Sequence, residues 1–194
     1  MSEASPTWGN DTEEAFFRQM RGCRSAYRRL GDAIHAVLGA HTAIEFGCGT
    51  ADQTERLIGL GWKVEAFEYS PVARDLAEIP VEFFDLTSEK PLRAMADVAI
   101  CTETAEHIPA RFAKRIVDNV RSVAAKYIVW SAAPPGQEWP GHVNLRPAAY
   151  WEGMFEYAGW VVELEKTRQL RAAMLAIHAQ HEYCRENFYI YVPA

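Results

Sequence analysis

The stretch Thr42-Ala-Ile-Glu-Phe-Gly-Cys-Gly-Thr50 decides the fold of this chain. It begins with a short apolar run, as expected of a buried strand, and two glycines follow at once. Gly47 and Gly49 allow a tight turn and let the backbone approach a ligand closely. A helix is predicted over residues 52–60, and Gly61 is expected to end it. The stretch therefore predicts a strand, a glycine turn and a helix, with a ligand at the turn.

Strand and helix signals alternate along the rest of the chain, which is typical of an α/β protein with a mostly parallel sheet. The predicted strands are residues 42–46, 63–67, 81–84, 98–101, 127–131, 160–164 and 188–192. The predicted helices are residues 11–38, 52–60, 71–77, 110–124, 147–158 and 167–183. Ligands of such sheets bind beyond the carboxyl ends of the strands, so we expect the functional residues there.

Length and composition predict one domain over residues 1–194, because 49% of the residues are hydrophobic. We expect about the first ten residues to be mobile. Residues 11–38 are expected to form a helical N-terminal cap with a break at Gly31. The net charge of −6 disfavours a general nucleic-acid binder. With no signal peptide and no apolar run of transmembrane length, we expect a cytoplasmic protein that binds no membrane.

An acidic residue at the end of the second predicted strand supports a ligand that contains a nucleoside. Glu68 follows Gly47 by 21 positions, and an acid at the end of the second strand can accept two ribose hydroxyls. Proteins that bind NAD also use an acid at this position for the ribose. In this chain, however, Asp52 occupies the position of the third glycine of a pyrophosphate-binding turn. The chain is also too short for a separate substrate domain. A cofactor without phosphate is therefore favoured.

Four segments together resemble the class I S-adenosylmethionine (SAM)-dependent methyltransferases. They are E-F-G-C-G-T at 45–50, V-E-A-F-E-Y-S-P at 64–71, V-E-F-F-D-L at 81–86 and D-V-A-I-C-T-E at 97–103. The resemblance implies a Rossmann-like α/β fold whose seven-stranded, mostly parallel sheet has an antiparallel last strand. It also implies SAM as the cofactor and a small-molecule acceptor as the partner.

The resemblance assigns parts of SAM to particular positions of this chain. The glycine turn would hold the amino-acid part, Glu68 the ribose, Asp85 and Leu86 the adenine, and residues 101–103 would lie along the sulfonium. The positions assigned to the cofactor are Glu45, Phe46, Gly47, Cys48, Gly49, Glu68, Tyr69, Asp85, Leu86, Cys101, Thr102 and Glu103.

A second motif, Glu103-Thr-Ala-Glu106-His107, follows the fourth predicted strand. A helical turn beginning at Glu103 would place Glu103, Glu106 and His107 on one face. His142, in the loop after the fifth strand, is a candidate fourth group. Two carboxylates and two imidazoles can hold Mg²⁺ or another divalent cation such as Mn²⁺ or Co²⁺. Without a metal, His107 or His142 is the natural general base.

This E-x-x-E-H motif resembles that of the ubiquinone-pathway O-methyltransferases and of the small-RNA 3′-terminal 2′-O-methyltransferases. In both groups it is associated with a divalent metal, so the resemblance implies that Glu103, Glu106, His107 and His142 are metal ligands and catalytic residues. It favours O-methylation of a hydroxylated small metabolite, such as a sugar or a natural-product intermediate. The alternative without a metal is that Glu106 and His107 form a hydrogen-bonded pair.

Two other functions stay open from the sequence. The first is 2′-O-methylation of RNA, supported by a row of arginines on one side of the N-terminal helix that could capture an anionic acceptor. These residues are Arg18, Arg21, Arg24 and Arg28, and their alternative role is a solvated polar face. The second is a non-catalytic or NAD-binding Rossmann-like protein.

Four aromatic residues lie in or near the loop after the fifth predicted strand. They could form a wall of the acceptor site, or they could only pack in the core and the loop. These residues are Trp130, Trp139, Tyr150 and Trp151.

Overall fold

The protein is described by a computed structural model over residues 10–39, 41–175 and 186–194. Its strands are β1 (Thr42–Phe46), β2 (Lys63–Glu68), β3 (Glu82–Phe83), β4 (Ala96–Cys101), β5 (Ala124–Trp130), β6 (Trp160–Val162) and β7 (Tyr189–Pro193). Its helices are α1 (Asn10–Gly22), α2 (Arg24–Leu38), α3 (Asp52–Gly59), α4 (Pro71–Leu76), α5 (Ala113–Ser122), α6 (Ala148–Tyr157) and α7 (Leu164–Leu175). Two 3₁₀ turns, Ala105–His107 and Ala110–Phe112, connect β4 to α5.

The seven strands form one sheet in the order β3-β2-β1-β4-β5-β7-β6. β1 pairs in parallel with β2 and β4, and β4 pairs in parallel with β5. β7 lies between β5 and β6 and is antiparallel to both. The prediction of a Rossmann-like, mostly parallel sheet with an antiparallel last strand is confirmed. The carboxyl ends of β1, β2, β4 and β5 therefore meet at one edge of the sheet.

Both faces of the sheet are buried, because helices cover each of them. Successive residues of a strand point to opposite faces, so Ile128 and Trp130 pack with α5 and α6, whereas Val129 packs with α2 and α7. This arrangement explains why the central strands read as continuous apolar runs rather than as alternating ones.

Of the helices in the described ranges, none is both long and apolar enough to cross a membrane.

The N-terminal cap divides at Cys23, so the predicted break at Gly31 is wrong. Gly22, a poor helix former, precedes the break. Gly31 lies buried within α2 against α3, where an added Cβ would lie 3.2 Å from the Gln53 carbonyl oxygen. Its missing side chain therefore serves close helix packing and not a turn.

Other element boundaries also differ from the predicted ones. β3 has two residues, and α7 begins at Leu164, three residues before the predicted start, which shortens β6. Asn10 already belongs to α1, whereas the expected mobility of the residues before it concerns positions outside the described ranges. The predicted continuation of the last helix to residue 183 also lies outside them.

The glycine turn after β1 touches the loop after β4. The Gly47 N–H donates to the Phe67 carbonyl at 2.8 Å, and Gly47 has a φ of +66°. A Cβ added at Gly47 would lie 2.3 Å from the Thr104 hydroxyl oxygen and 2.9 Å from its Cβ. Gly61 also has a positive φ, +91°, but nothing lies within 4 Å of its added Cβ. Gly47 is therefore required for space as well as for backbone conformation.

We predict that Gly47→Ala destabilises the protein more than Gly61→Ala does. The positive φ alone costs an alanine about 1–2 kcal/mol, which is the expected loss at Gly61. The contact with Thr104 adds about 1–3 kcal/mol at Gly47, as overpacking of a tight interior does. Urea unfolding of both variants measures the difference, and equal losses would contradict the close approach of the two loops.

Candidate active site

A cavity of about 730 Å³ opens at the carboxyl ends of β1, β2 and β4. α1 covers one side of it, and the loop after β5 forms another wall. Of the positions that the sequence assigns to the cofactor, all except Cys101 line this cavity. Cys101 is fully buried in the core with Phe46 and Ile116, because its side chain points to the α5 face of the sheet. The expected contact of Cys101 with the cofactor is therefore not supported.

Glu45 anchors the glycine turn to the following helix. Its carboxylate is buried and accepts hydrogen bonds from the Gln53 side-chain amide at 2.8 Å and from the Thr54 hydroxyl. Burial raises the pKa of Glu45 to about 7, although the two hydrogen bonds act in the opposite direction. The side chain of Glu45 therefore holds α3 in place, and its sequence neighbours Phe46 and Gly47 are presented to the cavity.

Glu68 is held by backbone groups on both of its oxygens. Gly49 N–H donates to one oxygen and Ser70 N–H to the other, each at 2.9 Å. Burial raises the pKa of this carboxyl, and those amides partly offset the effect. Each carboxylate oxygen can accept more than one hydrogen bond, so Glu68 retains the capacity to accept two ribose hydroxyls. Its neighbour Tyr69 also lines the cavity and packs near Phe83, with ring centroids 5.8 Å apart.

The loop after β3 is fixed by Asp85. Its Oδ1 accepts from the Thr87 N–H at 2.8 Å and from the Thr87 hydroxyl at 2.7 Å, which forms an Asx turn. Asn119 of α5 donates its side-chain amide to the Leu86 carbonyl at 2.8 Å. These contacts place Asp85 and Leu86 on the cavity wall, where the sequence resemblance puts the adenine.

The chain turns sharply at Glu103, directly after β4. Glu103 has a φ of +48°, a left-handed conformation that costs a glutamate about 1–2 kcal/mol. Its N–H donates to the Ser131 carbonyl at 3.1 Å and to the Ser131 hydroxyl at 3.0 Å, so the turn is tied to the end of β5. Strained residues of this kind cluster at functional sites. The helical turn begins two residues later, at Ala105.

Three of the four predicted ligands lie together. Glu106, His107 and His142 each offer a ligand atom, and these atoms lie within 4.8 Å of one another. Glu103 is not part of this group, because the left-handed turn separates it from the 3₁₀ turn that carries Glu106 and His107. The expectation that Glu103, Glu106 and His107 share one face is therefore wrong for Glu103, and the candidate ligand set contains three residues, with His142 from the loop after β5.

Backbone carbonyls orient both imidazoles. Nδ1 of His107 lies 3.1 Å from the Gly141 oxygen, and Nδ1 of His142 lies 2.6 Å from the Gln137 oxygen. A carbonyl oxygen only accepts, so each Nδ1 carries the proton and each Nε2 carries the lone pair. Imidazoles that bind metals are commonly oriented in this way by a second hydrogen bond.

Glu106 is a buried carboxyl group with a strongly raised pKa. The side chain is fully buried, and within the described part of the chain no well-formed hydrogen bond reaches either carboxylate oxygen. Burial and the nearby charge of Glu103 raise the pKa of Glu106 well above its usual range, and the backbone N–H groups of Glu106 and Ala133 act in the opposite direction. The pKa of His107 is lowered to about 4, mainly by burial and to a smaller extent by the electrostatic effect of His142. A buried carboxyl group beside uncharged imidazole is a donor set that fits a divalent cation.

The position of His142 depends on contacts that link two distant loops. Val143 and Asn144 donate their N–H groups to the Glu106 carbonyl at 2.8 and 3.0 Å, and the Asn144 side chain donates to the Ala105 carbonyl at 3.2 Å. The loop after β5 is thereby fixed on the 3₁₀ turn after β4. These contacts explain why a histidine remote in sequence lies beside His107.

Sequence reasoning missed the cover that α1 provides. Phe16, Phe17 and Met20 line the cavity, and the ring of Phe16 lies 6.4 Å from that of His107. Their helical spacing predicted an apolar face, and no pattern showed that this face covers a cavity. Within the aromatic group of the sequence analysis, Trp139 lines the cavity, whereas Trp130 and Trp151 are buried in the core.

The row of arginines on the N-terminal helices forms ion pairs with acidic residues of the protein. Arg21 and Arg24 contact Asp52, and Arg24 and Arg28 contact Glu55. Arg18 pairs with Glu14 one turn earlier. The pairs of Arg21, Arg24 and Arg28 hold the N-terminal cap against α3, and none of these arginines belongs to the cavity lining.

Comparison with known proteins identifies the fold. No protein-family model matches the chain, and no curated protein sequence matches it. Among solved structures, a TehB-like SAM-dependent methyltransferase from Corynebacterium glutamicum is similar with a TM-score of 0.71 and 14% identity, covering 96% of this chain and 100% of that one.

Two further structures are similar over much of their length. The sugar N-methyltransferase KedS8 from Streptoalloteichus has a TM-score of 0.67 and 14% identity, with 100% of this chain and 98% of that chain covered. Magnesium protoporphyrin IX methyltransferase from Synechocystis, with bound S-adenosylhomocysteine (SAH), has a TM-score of 0.58 and 19% identity, with 71% and 74% covered. The chain therefore has the fold of the class I SAM-dependent methyltransferases.

Proposed function

We propose that this protein is a SAM-dependent methyltransferase. The observation that carries the proposal is a single cavity that combines two sets of residues. The glycine turn, Glu68 and Asp85 line one part of it, and the cluster of Glu106, His107 and His142 lines another. Because one fold serves many activities, this combination supports the function and the fold alone does not. A non-catalytic or NAD-binding protein has no evident use for such a cluster.

The chemistry of the cavity lining suits the parts of SAM. Glu68 would accept the ribose hydroxyls, Asp85 and the backbone of Leu86 would bind the adenine, and the backbone near Gly47 would lie against the amino-acid part. A neighbour of the same fold holds SAH, which supports this choice of cofactor. The sulfonium of SAM supplies an activated methyl group. The protein must align the acceptor with it and accept the proton that is released.

The fully buried Glu106, whose oxygens receive no well-formed hydrogen bond from the described residues, and the two imidazoles beside it support a divalent cation as a second cofactor. Glu106, His107 and His142 would hold the ion, and two imidazole donors favour Mn²⁺, Co²⁺ or Zn²⁺ over Mg²⁺. A cation bound there would lower the pKa of an acceptor hydroxyl. The metal therefore favours oxygen as the acceptor atom.

A cation held by His107 and His142 would leave Glu103 as the group available to accept a proton. Burial raises the pKa of Glu103 to about 7, although a hydrogen bond with the Ser131 hydroxyl acts in the opposite direction. A general base works best when its pKa lies near the operating pH. We therefore assign proton removal to Glu103, which lines the cavity outside the three-residue cluster.

The acceptor that fits this cavity is a hydroxylated small metabolite, such as a sugar or a natural-product intermediate. The cavity is covered by α1, which favours a small molecule over a polymer. N-methylation is a second candidate, because the similar protein KedS8 is a sugar N-methyltransferase. RNA 2′-O-methylation is less favoured, because the arginines that could bind a phosphate are engaged in ion pairs with acids.

We predict that Glu68→Gln weakens SAH binding by about tenfold or more, since hydrogen bonds to a charged acceptor are worth about 1.5–3 kcal/mol. Glu65→Gln is the matched control, because Glu65 lies on the same strand and is exposed. Isothermal titration calorimetry with SAH measures both variants. Equal affinity of Glu68→Gln and the unchanged protein would refute the assignment of the ribose site.

We predict that the protein binds Mn²⁺ and that His142→Ala and Glu106→Gln each weaken this binding by about tenfold or more, because each removes a ligand. His41→Ala serves as the control, since His41 lies beside Leu38 and Asp97 and outside the cavity lining. Mn²⁺ titration followed by electron paramagnetic resonance gives the affinities, and circular dichroism verifies folding. Unchanged Mn²⁺ affinity in both site variants would exclude this cluster as the metal site.

A further inference from the structure

We propose that the cavity selects an acceptor that is uncharged or cationic and that it excludes anionic acceptors. The inference deepens the proposed function and rests on it. Its basis is the sign of the charged residues around the cavity: in the described part of the chain, no lysine or arginine lines it, and every charged lining residue is acidic. These acids are Glu13, Glu45, Asp52, Glu68, Asp85, Glu103, Glu106 and Glu138.

The acids at the cofactor end have partners or a cofactor role. Asp52 is paired with Arg21 and Arg24, and Glu45 is hydrogen-bonded to α3. Glu68 accepts two backbone amides. SAM also brings a sulfonium and an ammonium group against one carboxylate, so it is complementary to an acidic surface. The negative charge at this end is therefore accounted for by the cofactor.

The acids at the other end are not neutralised in this way. Glu103 and Glu106 follow β4, and Glu138 lies in the loop that carries His142. Glu13 of α1 also lines the cavity, and it lies near enough to Glu68 to raise the pKa of that carboxyl. Glu106 is fully buried, and no well-formed hydrogen bond reaches its oxygens within the described ranges, which is consistent with a positively charged ligand. A bound divalent cation would keep Glu106 ionised, and together with Glu103 and Glu138 the carboxylates would then still exceed its two positive charges.

An anionic group on the acceptor would therefore enter a site whose lining, within the described part of the chain, offers it no lysine or arginine as a partner. Arg21, Arg24 and Arg28 of the N-terminal helices are held in ion pairs by Asp52, Glu55 and Glu78. Placing a carboxylate or phosphate against these acids, in a cavity partly covered by α1 and without a paired cation, is unfavourable. Phosphorylated metabolites, carboxylates and nucleic-acid ends are consequently excluded as acceptors.

Two aromatic side chains give this end of the cavity affinity for the favoured class. Phe16 lies beside His107, and Trp139 is about half exposed at the wall formed by the loop after β5. Ring faces contact apolar molecules and also attract ammonium groups through cation–π interactions. The acceptor class is therefore a neutral or amine-bearing hydroxylated molecule, such as an amino sugar or a phenol with an amino side chain.

The charge of the cavity can be measured without knowing the acceptor. In the full chain carrying Cys23→Ser, Cys48→Ser and Cys184→Ser, Trp139→Cys places a thiol on the cavity wall, while Cys101 stays buried in the core. Its reaction rates with a trimethylammonium-ethyl and a sulfonatoethyl methanethiosulfonate are compared, each divided by the rate with a free small thiol. Ala149→Cys in the same background is the control, since Ala149 is exposed and outside the lining.

We expect the ratio of cationic to anionic reagent rates to be about tenfold higher at position 139 than at position 149, as a surface potential of about one to two kT produces. Glu138→Gln and Glu13→Gln should each lower the ratio at position 139. Equal ratios at the two positions, or faster reaction with the anion at position 139, would overturn the proposal. This measurement needs no cofactor, so its failure is distinct from a failure to bind SAH.

A second measurement tests acceptors of matched shape on the unmodified protein. Tyramine, 4-ethylphenol and 4-hydroxyphenylacetate share a phenol ring and differ in charge, and ligand-observed NMR compares their binding to the SAH-saturated protein. We expect the carboxylate to bind about tenfold or more weakly than the amine. Tighter or equal binding of the carboxylate would contradict the proposal, whatever the thiol rates show.

Discussion

The pairing of β1 with β2 on one side and β4 on the other is the interaction on which the site depends. Phe46, the last residue of β1, is aligned with Phe67 of β2 and with Cys101 of β4. The chain segments that leave these three strands therefore begin at the same level of the sheet. The glycine turn, Glu68 and the Glu103 turn come together for this reason, although they are far apart in the sequence. Parallel pairing and helical crossovers produce the cavity before any side chain acts in it.

The site is built from groups that oppose stability. Glu103 has a left-handed backbone, Glu106 is buried with no well-formed hydrogen bond to its oxygens in the described ranges, and Glu45 is buried with a pKa near 7. The compensating interactions lie elsewhere, in the apolar packing on both faces of the sheet and in the backbone bonds that fix Glu68. Such a distribution is expected where binding and catalysis require charges in places that folding alone would avoid.

The sequence predicted those parts of the structure that depend on local patterns. The glycine turn, the acid at the end of β2 and the alternation of strands and helices are each encoded within a few residues, and the fold and the residues assigned to the cofactor, except Cys101, followed from them. The break at Cys23 could not be predicted, because Gly31 has the stronger local signal and long-range packing against α3 overrides it. The cover formed by α1 also depends on tertiary contact, which a periodic apolar face does not specify.

The cluster around His107 shows the same limit at the level of single residues. Glu103 and Glu106 have the spacing of one helical face, but hydrogen bonds from Glu103 to Ser131 hold a turn that breaks this face. His142 was suggested only by its loop, and its place is set by the bonds that Val143 and Asn144 donate to Glu106. Interactions between loops of different strands decide both outcomes, and no local motif records them.

The identity of the cofactor is the central claim, and a thermal-shift comparison of SAH with NAD tests it most directly. At about 100 times its dissociation constant, a ligand that binds only the folded state adds roughly 2.7 kcal/mol of stability, which is a shift of several degrees for a domain of this size. The structure predicts such a shift with SAH and none with NAD. A shift with NAD, or no shift with SAH at millimolar concentration, would contradict the assignment of the cavity to SAM.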